Sequence, residues 1–311
     1  MSRRLFLLVN DACDIACTYC YYTTGYETRS GAHVSPDQSV EIAERIRATG
    51  FGTVILVGGD PLQSRRKHET YEIIRACKGV GTRVIINTSA VHLNDEDLDR
   101  LVALAVDRID ISIDSHDPEI HDAQRGHHAE TVFTIKGLVS RGYHSIDTTT
   151  VVTERNVDTL GLTLRWLKSL GVKETHIHRA FIPSGDLVRA SDLVRRPERI
   201  APMMCALQKE IDTPHAPAYL SLVEAVVRGE PAPRQARCRM GKEYFVCSPS
   251  GDLTACFHRP DLRLGNLFTD PVDALVAAME GNSLTPVQLP DCFGTHCASL
   301  FDNPRFWSMD P

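Results

Sequence analysis

Three cysteines stand within eight residues near the start of the chain: Cys13, Cys17 and Cys20, in the order Cys-x3-Cys-x2-Cys. They follow a short apolar run, Leu5 to Val9, that stops at the polar pair Asn10-Asp11. Three thiolates on one loop can hold three irons of a [4Fe–4S] cluster, whose usual complement is four. The remaining iron is then an open position, where a substrate or cofactor binds. The competing reading is three core thiols, which the polar, strand-ending setting disfavours.

A second group fills the last quarter of the chain: Cys238, Cys247, Cys256, Cys292 and Cys297. Ser248-Pro249-Ser250-Gly251-Asp252 reads as a hairpin turn between Glu243–Cys247 and Leu253–Phe257. Four thiolates suit either a structural zinc or a second iron–sulfur cluster, and the three-cysteine loop in the same chain favours iron. Cys77 and Cys205 lie in helical stretches and are expected as small core residues.

The elements that must position these residues alternate. Strand-like runs at Leu5–Val9, Thr53–Val57, Thr82–Thr88, Arg108–Asp114, Ser145–Val152 and Glu174–Ala180 are separated by helical stretches. Ser35-Pro36 opens the first helix and Gly50 follows its end. Such alternation implies parallel strands with helical crossovers. Six units are too few for a closed eight-stranded barrel and suit an open, partial α/β barrel, with chemistry at the C-terminal strand ends.

Those strand ends carry the further candidates. Gly58-Gly59-Asp60-Pro61 follows the second strand, and its glycines allow close backbone approach to a ligand. Asn87-Thr88 ends the third. In Ile109-Asp110-Ile111-Ser112-Ile113-Asp114 the period of two puts three isoleucines on one face and three polar residues on the other. His121-Asp122-Ala123-Gln124-Arg125-Gly126 follows, with Arg125 suited to a carboxylate partner. Asn156 and the His176/His178 alternation are expected to face a cavity, in polar packing or substrate contact.

The cysteine loop, with aromatic Tyr19 before its third cysteine, resembles the signature of the radical SAM superfamily. Gly58-Gly59-Asp60-Pro61 is similar to that family's Gly-Gly-Glu-Pro motif, with Asp60 in place of Glu. The 110–114 strand resembles its Ser-x-Asp strand. The 121–126 segment resembles its His-Asp-x-x-Arg-Gly segment. The resemblance implies a partial (β/α)6 barrel of the TIM type. It implies a cluster on Cys13, Cys17 and Cys20, and S-adenosyl-L-methionine on the open iron, cleaved reductively to a 5′-deoxyadenosyl radical. It places Tyr19, Gly58, Gly59, Asp60, Pro61, Asn87, Ser112, Asp114 and Arg125 near that cofactor.

Cys238-x12-Gly251-x4-Cys256, with Leu264-Gly265-Asn266, resembles the SPASM and twitch extensions of one subgroup. Five cysteines are too few for a full SPASM domain, so one auxiliary [4Fe–4S] cluster on Cys238, Cys256, Cys292 and Cys297 is expected. Zinc is the competitor. Cys247 is then a spare thiol at the barrel mouth, able to return a hydrogen atom to a carbon radical. The alternative keeps Cys247 as a ligand and another cysteine spare. The expected division is a barrel over 1–200, a helical linker over 201–235 and a small twitch-like domain over 236–311.

A net charge of −6 argues against a sequence-independent nucleic-acid binder and permits a cationic substrate. No apolar run reaches membrane-spanning length, and ten cysteines without a secretory signal point to a reducing, cytoplasmic setting. Twelve residues precede Cys13, which leaves no room for a leader-binding domain and favours a polar small-molecule substrate. The family also implies a flavodoxin- or ferredoxin-type electron donor. The spare thiol favours an aminoglycoside epimerase of the neomycin type. A dehydrogenase of an aminocyclitol or sugar, a ribosomal-peptide maturase or epimerase, and a non-catalytic iron–sulfur protein stand as alternatives.

Overall fold

The computed structural model describes residues 3–20, 31–180, 193–211, 216–230, 239–257 and 261–282. Strands and helices alternate from the start: β1 (Arg3–Asn10), α1 (Ser39–Ala48), β2 (Phe51–Gly58), α2 (Lys67–Gly79), β3 (Arg83–Thr88) and α3 (Asp95–Ala103). They continue through β4 (Arg108–Ser112), α4 (Pro118–Asp122), α5 (His128–Ser140), β5 (Ile146–Val152), α6 (Leu160–Ser169) and β6 (Glu174–Arg179). Two helices follow, α7 (Ile200–Glu210) and α8 (Ala216–Arg228), then β7 (Tyr244–Cys247), β8 (Asp252–Thr254), β9 (Arg263–Asn266) and α9 (Val272–Gly281).

The nine strands among the described residues join one sheet in the order β6-β5-β4-β3-β2-β1-β7-β8-β9. Pairing is parallel from β6 through to β7 and antiparallel for the last two. The mixed α/β architecture is the one expected, with a seventh parallel strand added. The sheet curves. Strands lie about 4.8 Å apart, so β1 and β5 would stand roughly 19 Å apart in a flat sheet. Yet Ile15, Cys17 and Tyr19, just after β1, pack against Val151 of β5 and Ala180 beyond β6.

The two faces of the sheet differ in kind. The helix side of β1 to β4 is mostly apolar: Leu5, Leu7, Val54, Leu56, Val84, Ile86, Ile109 and Ile111 pack with Ile42, Ile46, Ile73 and Leu98. The concave side divides. Phe6, Leu8, Ile55, Ile85, Tyr244 and Val246 make an apolar half. Period-two alternation gives β4, β5 and β6 a polar half, with Arg108, Asp110, Ser112, Asp147, Thr149, His176 and His178.

Helices α7 and α8 pack onto the sheet. Met203, Met204, Leu207, Tyr219, Leu220 and Val223 form a second core with Leu160, Leu164 and Ile177. The Ile177 amide donates to the Tyr219 hydroxyl at 3.0 Å. α8 thus packs against β6, the last strand of the described sheet order. Cys205 is exposed on α7, not in the core as expected, because Met203, Met204 and Leu207 occupy the packed face. Cys77 is fully buried. Leu5 pairs with Phe245 and Leu7 with Cys247, so β7 continues the sheet directly from β1.

Candidate active site

The cysteine loop is sewn to its neighbours by backbone. The Gly59 amide donates to the Asn10 carbonyl at 2.9 Å and the Asp60 amide to the Ala12 carbonyl at 2.7 Å. A Cβ on Gly59 would lie 2.1 Å from the Ala12 oxygen, and one on Gly58 would lie 2.2 Å from the Asn10 oxygen. The cysteine loop itself presses on the pair and leaves no room for a side chain at either position. The Asn10 side chain donates to the Asp60 carbonyl and accepts from the Ala12 amide. The Asp14 carboxylate accepts from the Gln63 side chain at 2.7 Å, the Ser64 amide at 2.6 Å and the Ser64 hydroxyl at 2.9 Å.

Asp60 is a brace. Its carboxylate accepts from the Thr88 hydroxyl at 2.7 Å, the Ser89 amide at 2.8 Å, the Ser89 hydroxyl and the Leu62 amide at 2.8 Å. Those four donors fill a carboxylate's acceptor sites. The Asp60 side chain thus ties the 58–61 turn to the end of β3. Burial raises its pKa, and the Ser89 and Thr88 hydrogen bonds oppose the rise. The Pro61 carbonyl accepts from the Thr70 hydroxyl at 2.5 Å.

Asp114 gathers the other side. It is fully buried just past β4. Its carboxylate accepts from the Tyr19 hydroxyl, from Gln124 Nε2 and Arg125 Nε at 2.9 Å each, and from the Val151 amide at 2.9 Å. The Arg125 guanidinium also lies over the Tyr19 ring, 5.2 Å from its centroid, and its Nη1 reaches Cys17 Sγ at 3.7 Å. A cation beside a sulfur favours the thiolate. Burial pushes the Cys17 thiol up, against the lowering effect of Arg125. Burial and the Asp60 charge push Cys13 up to about 12.

The remaining candidates sort by face. Asn87 and Ser112 lie on the concave side, beside Asp110. Asn156 does not face the cavity: it is fully buried, and its amide donates to the Asp114 and Val151 carbonyls. His176 Nε2 lies 3.4 Å from Asp147 and 3.9 Å from Asp110, while Arg108 holds Asp147 at 2.9 Å. His121 accepts from the Asp114 amide at 3.2 Å, and burial lowers its pKa to about 4. The Glu154 carboxylate, just past β5, is held by Arg196 and Arg199. Gln124, Asp14, Gln63 and Asn10 escaped the sequence reading, because nothing local marks a polar residue whose partners come from another loop.

The three thiols suit a cluster better than a single ion. Among the described residues, the group of three ligand-type side chains whose donor atoms converge within 4.8 Å is His92, His127 and Glu130, not the cysteines. A cubane takes one iron per thiolate and needs its sulfurs spread.

Comparison with known proteins agrees. Residues 7–167 match the family model of the radical SAM superfamily. The chain belongs to the radical SAM superfamily. It is 25% identical over 280 residues to the AdoMet-dependent heme synthase of Methanosarcina barkeri, covering 83% of this chain and 77% of that protein. It is 26% identical over 293 residues to the subtilosin biosynthesis protein AlbA of Bacillus subtilis, covering 92% of this chain and 61% of that one. Against two further heme synthases it spans 50% and 45% of their length. Streptococcus suis SuiB bound to its precursor peptide SuiA superposes with a TM-score of 0.68 at 13% identity, covering 91% of this chain and 67% of SuiB. These neighbours are of the SPASM type.

Cys238, Cys292 and Cys297 lie outside the described residues. Cys256 is on the concave side, in the apolar half that Cys20 also borders. Cys247 is not at the barrel mouth. It is fully buried in the helix-side core with Phe245, Leu253 and Leu267, and its thiol donates to the Ser248 carbonyl at 3.5 Å. Parallel pairing explains this: partnered residues share a face, and Cys247 pairs with outward-facing Leu7. Burial, then the Asp252 charge, raises its pKa.

Proposed function

We propose that this radical SAM enzyme holds a [4Fe–4S] cluster on Cys13, Cys17 and Cys20 and removes a hydrogen atom from a C–H bond of a polar small molecule. The observation that carries this is the buried chain from Cys17 through Arg125 to Asp114 and Tyr19. When bound and reduced, the cluster supplies the electron that cleaves S-adenosylmethionine to methionine and a 5′-deoxyadenosyl radical. Arg125 keeps a positive charge beside Cys17. Tyr19 and Asp114 fix that guanidinium, and Asp60 with Asn10 and Asp14 fix the loop. Asn87 and Ser112 are the concave-side groups offered to the cofactor. Asp110, His176 and His178, deeper on the same wall, would orient the substrate's polar groups.

Two endings are open to the substrate radical. Its electron can leave, giving a product oxidised by two electrons, or a thiol can return hydrogen to the opposite face of the carbon. The burial of Cys247 on the helix side supports the first ending. It also supports Cys238, Cys256, Cys292 and Cys297 as the ligands of one auxiliary [4Fe–4S] cluster in a twitch-like segment over 236–311. That cluster would accept the electron. The substrate class that fits is an aminocyclitol, sugar or aminoglycoside. The second ending, epimerisation of an aminoglycoside, is favoured by the cysteine count, five thiols for four ligand positions. It requires Cys247 to reach the concave side.

The deciding experiment uses the anaerobically reconstituted chain with dithionite, S-adenosylmethionine and a panel of aminoglycosides in D2O. The proposed ending gives 5′-deoxyadenosine, a product two mass units lighter and no solvent deuterium on carbon. One deuterium on an epimerised carbon, lost in Cys247→Ala while 5′-deoxyadenosine still forms, establishes the second reading. No 5′-deoxyadenosine with or without substrate sinks both and leaves a non-catalytic iron–sulfur protein.

A further inference from the structure

Outside the cysteine loop, three metal-type ligands from two separate loops converge. His92 lies in the connection from β3 to α3, His127 just before α5, and Glu130 in the first turn of α5. His92 Nδ1 stands 2.9 Å from one Glu130 oxygen and His127 Nδ1 stands 2.6 Å from the other. The two rings meet edge to face with centroids 5.0 Å apart. One donor atom from each residue falls within 4.8 Å of the other two. We propose that His92, His127 and Glu130 form a site for a divalent transition metal of the zinc class.

The ligand chemistry sets the class. Two imidazoles and one carboxylate are a set that zinc takes, with a fourth position left to water. Imidazole nitrogens also suit copper and nickel, whereas magnesium and calcium prefer oxygen throughout. All three side chains are a third or more exposed, so an ion has access.

The fold holds the three together without help from an ion. The Thr131 hydroxyl donates to the Ser89 carbonyl at 3.1 Å and the Thr134 hydroxyl to the Ala90 carbonyl at 2.9 Å, docking α5 on the loop that bears His92. The His92 amide donates to Glu130 Oε2 at 2.8 Å. Both histidines hold left-handed backbone, φ 56° and 63°, which non-glycine residues seldom adopt. His127 occupies the cap position of α5, but its side chain caps nothing and turns to Glu130. A bound ion would tie the loop that carries Ser89, a brace of Asp60, to the segment two residues past Arg125. The site would then stiffen the rim of the active site without touching the reacting atoms.

Zinc titration of the reconstituted chain tests this, since iron already occupies the cysteine ligands. The wild type is expected to bind one more equivalent than His92→Ala/His127→Ala and to gain in thermal midpoint on binding. Glu130→Gln should bind about tenfold more weakly or worse. Cobalt, used as a probe, should give weak d–d bands without intense thiolate charge transfer. Iron and sulfide contents equal to wild type show that a variant folds; if the double variant loses iron, Glu130→Gln carries the comparison. No zinc bound by the wild type, equal binding by all three proteins, or a thiolate-dominated cobalt spectrum overturns the proposal.

Discussion

Asp114 is a single carboxylate on which four stretches of chain meet: the cysteine loop through Tyr19, the 121–126 segment through Gln124 and Arg125, β5 through the Val151 amide, and its own strand. The Arg125 side chain is 9% exposed and that of Asp114 0%, so their ion pair is shielded from solvent. Removing one partner strands a buried charge, which costs about 3–5 kcal/mol. Asp114→Asn should therefore lower unfolding stability by that amount, read from denaturant midpoints at constant slope. A loss under about 1 kcal/mol would mean that Asp114 is not a structural hub. At this scale the sequence identified Tyr19, Asp114 and Arg125 as relevant. It did not identify Gln124, whose amide bridges Asp114 and the Thr153 hydroxyl, because both partners lie elsewhere in the chain.

Elements explain why the loops hold their shape. The end of β2 and the cysteine loop share main-chain hydrogen bonds so close that no Cβ fits at Gly59. Gly59→Ala should push the loop away from β2. Iron bound to the N-terminal cysteines should fall well below wild type while far-UV circular dichroism is retained. Full iron loading would show that the loop can yield. On the opposite side of the sheet, α8 packs against β6 through Tyr219. Tyr219→Phe leaves the Ile177 amide buried without its acceptor, at a cost of about 1–3 kcal/mol. Faster hydrogen exchange at Ile177, with β1 to β3 unchanged, is the local signature. Strand positions were legible from apolar runs and alternation, since both are properties of a few consecutive residues. The packing of α7 and α8 was not, because prolines at 197, 202, 214 and 217 make that stretch read as a connection.

The whole molecule should respond to acid through its buried imidazoles. Burial holds His121 near pKa 4, well under the ordinary value of 6.5. Between these values the unfolded chain binds a proton that the folded chain refuses, so stability falls as pH drops from about 6.5 to 4. A shift of this size corresponds to about 3 kcal/mol over that window. His121→Asn keeps an acceptor for the Asp114 amide and removes the titration. Unfolding midpoints measured across that range should fall less steeply for the variant than for wild type, and parallel curves would refute the assignment. Asp147, by contrast, is an acid with a lowered pKa: burial opposes the shift, while His176 and Arg108 outweigh it. Its contribution is present near neutrality and is lost only below the ordinary carboxylate range.

The sequence by itself determined what depends on neighbours along the chain. Cys13, Cys17 and Cys20 share one loop, the isoleucines of β4 share one face, and six β/α units must stack in parallel. Tertiary structure decided what depends on pairing across long separations. Gly58 and Gly59 are shaped by a loop some fifty residues upstream. The side of the sheet on which Cys247 appears follows from its alignment with Leu7, 240 residues away. Alternation along β7 is visible in the sequence, but its phase relative to the cavity is set only when the strand docks on β1. That docking turned an expected hydrogen donor inward to the helix core and left Cys256 facing the concave side.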